Sequence, residues 1–288
     1  MKILLGDNQF FGINHADLKK ALETQQNFST KEKIASFIIK SLGIGLDGFM
    51  INSNNLGYNV VREFPFENNP KVECHYSIPY PHKYASMVNE AGVLSLLSFI
   101  MKNIRFTDLI NVIRFIISSN VIFLLPIIVR LETPKALPKG SVIYLQNVIT
   151  DLVIGLNNGN KIIETFIETV ESLGYKAGII TLNPHHFRTS LFKTSRNKDL
   201  YLCFNINKSG FNVFPTVNAV EDEIRYIKGN TKWNLLGMSI FSSGSSQFTI
   251  AESIDYIKSL PLDYVVFGSS KLQNIESNLG YFQTLSDK

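Results

Sequence analysis

The chain has 288 residues, a formal net charge of +4, 45% hydrophobic residues and 18% charged residues. A charged share below the usual value of about 25% excludes a disordered chain, a coiled coil and a collagen-like fibre. The 28 Lys and Arg are spread along the chain, so we expect no nucleic-acid partner, and two cysteines are too few for a disulfide scaffold.

Short apolar runs alternate with amphipathic stretches in chain order. Eight runs have the character of buried strands, and they cover 3–6, 48–51, 72–77, 142–145, 177–182, 200–205, 235–240 and 264–267. Helical spacing of apolar residues predicts helices over 30–42, 161–173, 219–227 and 250–260, and a last helix from about Leu272.

Strands separated by helices predict parallel βαβ units, and eight such units close into a barrel. We therefore predict an α/β protein with a single (β/α)8 TIM barrel domain over residues 1–288. A doubly wound open sheet is the competing architecture. It is disfavoured because no Gly-x-Gly-x-x-Gly motif follows the first strand.

The region from about 85 to 139 is longer than one crossover needs, which predicts a helical insertion between strands three and four. Its apolar part, 93–129, has a longest charge-free run of 15 residues, from Phe115 to Val129. A membrane span needs about 20 residues. We expect packed or interfacial helix here, with a peripheral membrane or subunit contact as the alternative. The first residues turn polar too early for a signal peptide, so we expect a cytoplasmic protein.

Polar side chains follow the predicted strands, where a barrel of this kind builds its ligand site. Strands one to four are assigned Asp7, Asn8, Gln9, Asn52, Asn54, Asn55, Glu73, His75, Gln146 and Asn147. Strands five to eight are assigned Asn183, His185, His186, Asn205, Asn207, Lys208, Ser239, Ser242, Ser243, Ser269, Ser270 and Lys271. Amides and hydroxyls bind a polar ligand without adding charge. The pattern therefore predicts a sugar-like or phosphorylated small-molecule substrate.

The loops after strands seven and eight predict a phosphate site. Gly237 to Gly244 is rich in Gly and Ser, and Gly268-Ser269-Ser270-Lys271 opens a helix. Glycine allows close approach of the backbone, and N–H groups at a helix start point outward. Barrels often bind phosphate between these two loops.

The segment 265–279 resembles the aldo-keto reductase signature, a strand ending in Gly-Ala/Ser-Ser before a helix that carries Asn. The segments 4–12, 48–54 and 179–187 are similar to other pieces of that family. The resemblance implies a (β/α)8 barrel with NADP or NAD as cofactor. It implies contacts to the adenosine end from Gly268, Ser269, Ser270, Lys271 and Asn278, and a contact from Asn183 to the nicotinamide carboxamide. Ser239, in the loop after strand seven, is also predicted to bind the cofactor.

The family's catalytic tetrad is an Asp after strand two, a Tyr, a Lys on strand three and a His on strand four. Asn52, Tyr58, His75 and either Gln146 or Asn147 lie at or near those positions, so the tetrad is degenerate and keeps at most one member, the Tyr. The resemblance therefore implies that Tyr58 is the acid and His75 its partner, in a reductase-like enzyme that acts on a polar carbonyl or sugar-like compound. A phenol has a pKa of about 10, so it needs a protonated neighbour to act.

Other chemistries stay open. Glu73 and His75, with Asp7 or His15, are residue types that bind divalent metals, but their spacing is loose and no metal ligands are assigned. Lys208 follows strand six, where Schiff-base aldolases often carry their lysine. His185 is a candidate general base. The alternatives are a cofactor-independent or metal-assisted lyase or isomerase on a phosphosugar, and a non-catalytic nucleotide-binding barrel, so an enzymatic role is itself left open.

Overall fold

A computed structural model describes residues 1–12, 26–79, 89, 98, 103–118, 120–156, 158–195, 197–244 and 247–284. Eight strands, each parallel to its neighbours, form one closed barrel in sequence order. They are β1 Lys2–Leu5, β2 Gly48–Asn52, β3 Glu73–Ile78, β4 Val142–Leu145, β5 Lys176–Ile180, β6 Tyr201–Asn205, β7 Asn234–Met238 and β8 Tyr264–Phe267. The predicted barrel is confirmed.

Ten α-helices lie within the described residues. They are α1 Lys31–Ile44, α2 Asn55–Glu63, α3 Leu109–Ser118, α4 Leu125–Glu132, α5 Asn147–Ile154, α6 Gly159–Ser172, α7 Pro184–Ser195, α8 Val217–Asn230, α9 Ile250–Lys258 and α10 Leu272–Thr284. Side chains cap several of their first turns. Thr30, for example, accepts a hydrogen bond from Lys33 N at the start of α1, and Thr249 forms a capping box with Glu252 at the start of α9.

The interior of the barrel is arranged in layers, because alternate strands contribute side chains at the same height. The lowest layer, at the amino ends of the strands, is polar and contains Lys2, Glu73, Lys176 and Asn234. Above it, His75 packs against the rings of Tyr144, Tyr201 and Tyr264, with centroid distances of 5.6, 6.0 and 5.2 Å. The layer at the carboxyl ends contains Asn52, Gln146, Asn205 and Gly268. Apolar and aromatic residues thus separate two polar ends.

Gly178 makes room for one of these rings. A Cβ atom at this position would lie 2.4 Å from the ring of Tyr144. We expect Gly178→Ala to lower the free energy of unfolding by about 1–3 kcal/mol through overpacking. The matched control is Gly43→Ala in α1, where a Cβ would meet nothing within 4 Å. The control is expected to stabilise by up to about 1 kcal/mol. Urea denaturation measures both, and an unchanged midpoint for Gly178→Ala would contradict the packing.

Part of the predicted insertion, about 85–139, lies outside the described residues. The described part contains α3 and α4, and α4 is packed inward, with Ile127 and Val129 buried. On and beside α3, apolar side chains face outward among the described residues, with Ile117 80% and Phe106 91% exposed. Within the described ranges, every helix is too short or too polar to cross a membrane. A membrane or subunit contact through 93–129 stays a prediction.

Candidate functional site

Asp7 and Asn52 form the best-defined pair at the carboxyl end of the barrel. Asp7 follows β1, and its Oδ2 accepts hydrogen bonds from Asn52 N at 2.8 Å and Asn52 Nδ2 at 2.6 Å. The other end of the Asn52 amide is also held, because its Oδ1 accepts from Asn54 N at 3.0 Å. Asn52 therefore orients the Asp7 carboxyl group, and hydrogen bonds at both the nitrogen and the oxygen of its amide fix its own orientation.

Burial raises the pKa of Asp7 from 3.8 to about 6, although the hydrogen bonds from Asn52 oppose the shift. The loss of hydration disfavours the charged carboxylate more than the two hydrogen bonds from Asn52 favour it. A group that titrates near neutral pH at the mouth of a barrel can act as a general acid or base.

Further amides and hydroxyls continue around the mouth. Gln146 Nε2 donates to Ser77 Oγ at 3.4 Å, which joins β4 to β3. On the far side, Asn205 Oδ1 accepts from Ser239 Oγ at 2.8 Å, and Asn205 Nδ2 donates to Asn212 O at 2.9 Å. Ser77 was not predicted as a site residue, because Glu73 and His75 were assigned to the end of β3. The strand continues to Ile78, and the Pro79 that follows was the available signal.

The loop after β7 has an unusual backbone. Ser239, Ser242 and Ser243 have φ values of 60°, 52° and 55°, a region that residues with a Cβ rarely adopt. Side-chain bonds hold the loop, since Ser242 Oγ lies 2.7 Å from Ser209 Oγ and Ser239 bonds to Asn205. Strained backbone of this kind concentrates at ligand-binding sites.

A groove of about 790 Å³ lies between α1 and the start of α10. Ser270 and Lys271 line it together with Lys33 and Lys40 of α1. Three lysines and a helix N-terminus outweigh the one carboxylate of the lining, that of Glu32, and favour an anion. The structure thus brings two of the predicted cofactor residues to one groove.

The other predicted cofactor residues do not line this groove and lie in different settings. Ser269 shapes the turn, since its Oγ accepts from Lys271 N at 3.2 Å. At Gly268, a Cβ would lie 2.4 Å from Gln9 Oε1, so a larger residue here would displace the end of that side chain. Asn278 is buried in α10, and Ser239 belongs to the mouth. Asn183 caps α7, where its Oδ1 accepts from His186 N at 3.0 Å, while its Nδ2 bonds to no described residue.

Tyr58 and His75 are not brought together within the described part of the chain. Tyr58 lies half-buried in the first turn of α2, and its hydroxyl bonds to no described residue. His75 lies inside the barrel below the mouth, where its Nδ1 is 2.8 Å from Tyr144 Oη. Burial lowers the pKa of His75, so it is a poor proton source near neutral pH.

His185 points away from the mouth. Its Nδ1 lies 2.8 Å from Glu223 Oε2 on α8, and Glu223 also forms an ion pair with Arg188. Lys208 is exposed, with its Nζ 4.4 Å from the ring centroid of Phe248, rather than in the dry pocket that a Schiff-base lysine needs.

The structure does not bring the candidate metal ligands that it describes together at one site. Glu73 and His75 lie at the amino half of the barrel and Asp7 at the carboxyl end, while His15 falls outside the described residues. The described ranges contain no group of three or more His, Cys, Asp or Glu suited to a metal ion.

No family model matches this chain, and no curated protein does. Solved structures do match. Two structures from Pseudomonas aeruginosa, each described as a "putative aldo-keto reductase", share 11% identity, with TM-scores of 0.56 and 0.57. The matches cover 98% and 99% of this chain and 89% and 90% of theirs. The protein Gox0644, in its apo form, matches at 9% identity and a TM-score of 0.55, over 98% of this chain and 83% of its own. At such identities the likeness shows the fold, and this chain shares their (β/α)8 barrel over nearly its whole length.

Proposed function

We propose that the chain is a reductase of a small polar carbonyl compound, of aldo-keto reductase type, that uses NADP or NAD and takes its proton from Asp7. The observation that carries the proposal is the Asp7 carboxyl group, held by Asn52 at the mouth with a pKa of about 6. Carbohydrate metabolism in the cytoplasm is the setting that this proposal implies.

The groove beside α10 fits the phosphate groups of a dinucleotide. Lys33, Lys40 and Lys271 supply positive charge there, and the N–H groups at the start of α10 add a partial positive charge. Asn183 Nδ2 is available for a carboxamide oxygen. When bound, such a cofactor supplies the two electrons of the reduction.

The chain itself handles the proton. Asp7 Oδ2 accepts two hydrogen bonds from Asn52, so in the acid form the proton resides on Oδ1. Oδ1 donates that proton to the carbonyl oxygen of the substrate as an alcohol forms, and the carboxylate is then protonated again from water. Asn52, Gln146 and Asn205 surround the mouth with groups that hold hydroxyls of a sugar-like substrate in place.

The first test is a titration with NADPH, followed through the emission of its nicotinamide. Binding in the micromolar range corresponds to about −8 kcal/mol. Consumption of NADPH is then measured with a panel of sugar aldehydes and ketones. The proposal is abandoned if neither NADPH nor NADH binds at about 1 mM, where the free energy of binding is only about −4 kcal/mol.

A cofactor-independent isomerase is the second candidate, because a carboxyl group that titrates near neutral pH also suits proton transfer next to a carbonyl. Exchange of the substrate's carbon-bound hydrogen in D2O, measured by NMR without NADPH, distinguishes it from the reductase. Exchange of a phosphosugar proton without NADPH would favour the isomerase.

Lys271→Ala is expected to weaken NADPH binding about tenfold, since it removes one charge from the groove. The matched control is Lys161→Ala, an exposed lysine on α6 that lies outside the groove. Equal NADPH affinities of the Lys271→Ala variant and the control would show that the groove does not bind the cofactor.

A further inference from the structure

A second cavity opens at the opposite end of the barrel from the mouth. It has a volume of about 320 Å³ and lies under the amino ends of β3, β4 and β5. The loops before β3 and β4 form its walls, and Glu73, His75, Lys176 and Tyr201 line it from inside the barrel. In barrels of this type, that end is ordinarily a packed, structural face.

The inner end of this cavity holds an unsatisfied donor. His75 is fully buried, and its Nε2 makes no hydrogen bond. Glu73 Oε2 lies 3.7 Å from this nitrogen, which is beyond hydrogen-bonding distance. Leaving such a group unpaired is costly, so a partner is expected in the cavity.

The neighbours of His75 determine what this partner is. Although partial burial opposes it, the proximity of His75 and Lys2 lowers the pKa of Glu73 to about 2, so Glu73 is a carboxylate. A carboxylate beside Nε2 favours the tautomer with hydrogen on Nε2, and Tyr144 Oη then donates to Nδ1. A hydroxyl group between the two can accept from His75 Nε2 and donate to Glu73 Oε2.

The outer end of the cavity is positively charged. Lys71, Lys139 and Lys176 line it, and Lys139 Nζ also donates to Leu173 O at 2.5 Å outside the cavity. Lys2 forms an ion pair with Glu73 and neutralises it. Lys176 is already oriented, because its Nζ donates to Tyr201 Oη at 3.0 Å. Three cations around one opening favour an anionic group there.

We propose that this cavity is a second binding site, which takes a small anion that carries a hydroxyl group. The hydroxyl lies between His75 and Glu73, and the anionic group lies among Lys71, Lys139 and Lys176. The site is independent of the proposed reductase site, because the rings of Tyr144, Tyr201 and Tyr264 pack around His75 between the two ends.

Calorimetry with a matched pair of probes tests the hydroxyl. Glycerol 3-phosphate has the required hydroxyls, and propyl phosphate lacks them. We expect glycerol 3-phosphate to bind about tenfold more tightly. His75→Phe is expected to abolish that preference while propyl phosphate binds as before. Equal affinities of the two probes for the unaltered chain would overturn the proposal.

Charge variants test the anionic end. Lys176→Met should weaken glycerol 3-phosphate binding about tenfold and leave NADPH affinity unchanged, while Lys161→Met on α6 should alter neither. Should His75→Phe fail to fold, NMR of the unaltered chain labelled with 15N-histidine replaces it, and the His75 Nε2 resonance should move on adding glycerol 3-phosphate. Absence of binding at about 10 mM, or an unmoved resonance at saturation, would refute the site.

Discussion

Asp7→Asn is expected to lower kcat about 100- to 1000-fold once a substrate has been identified. General acid catalysis contributes about 10²–10⁴ in rate, and asparagine cannot give up a proton. The substitution preserves volume, and the Asn oxygen can still accept the two hydrogen bonds from Asn52. In the unaltered chain the rate should be highest below pH about 6 and fall above it, as Asp7 loses its proton. In the variant that dependence should disappear.

Two controls accompany this measurement. Asp47→Asn removes a carboxylate at the opposite end of the barrel, where Asp47 Oδ2 accepts from Ile3 N at 2.7 Å, and kcat should not change. Tyr58→Phe removes the acid that the family resemblance implies. An unchanged rate for Tyr58→Phe supports Asp7. A large loss for Tyr58→Phe, with little for Asp7→Asn, would assign the proton to Tyr58 instead.

The same Asp7→Asn variant should be more stable than the unaltered chain at pH 8, whatever the reaction. The pKa of Asp7 is about 6 in the folded state against an ordinary 3.8, so the folded state binds this proton more tightly. Its contribution to stability is fully present below pH 3.8 and is lost as pH rises through 6. The difference between a pKa of 3.8 and one of about 6 corresponds to about 3 kcal/mol, and the partial exposure of the Asp7 side chain reduces this to about 2 kcal/mol.

Asparagine is uncharged at every pH, so it avoids this cost. Urea denaturation should therefore show a gain of about 2 kcal/mol at pH 8 that has largely vanished at pH 4. A variant that gains nothing at pH 8 would show that the ionised Asp7 is well solvated. Gain of stability with loss of activity is the pattern expected of a residue kept for function.

The strands could be predicted from the sequence because both of their faces are buried. Fully buried parallel strands form continuous apolar runs, and β4 and β8 were predicted with their observed bounds. Helices with one apolar face, such as α6, were predicted within two residues. The helices α2, α5 and α7 were not predicted. They begin within a few residues of the preceding strands, and their first residues, such as Asn55, Asn147 and His185, were assigned to strand-end loops instead.

The candidate site was harder to predict than the barrel. Asp7, Asn52, Gln146 and Asn205 were placed at strand ends from the pattern alone, which the barrel topology bears out. The raised pKa of Asp7 could not be predicted, because it depends on burial and on hydrogen bonds with Asn52. Both arise only when distant parts of the chain come together. His75 was predicted at the mouth, but it lies one inward-facing position lower on β3. The point where a strand ends determines which of its inward-facing residues reach the mouth.

The aromatic layers around His75 have a thermodynamic consequence. Tyr144, Tyr201 and Tyr264 fill the middle of the barrel, so molecules bound at its two ends share neither water nor side chains. Linkage then predicts a coupling free energy near zero, so each ligand should bind with the same affinity whether or not the other is present. The increments in melting temperature that the two ligands produce should add, and heat released by one should not depend on saturation by the other. The barrel would then have two independent binding sites, and each ligand would stabilise it against the same unfolding transition.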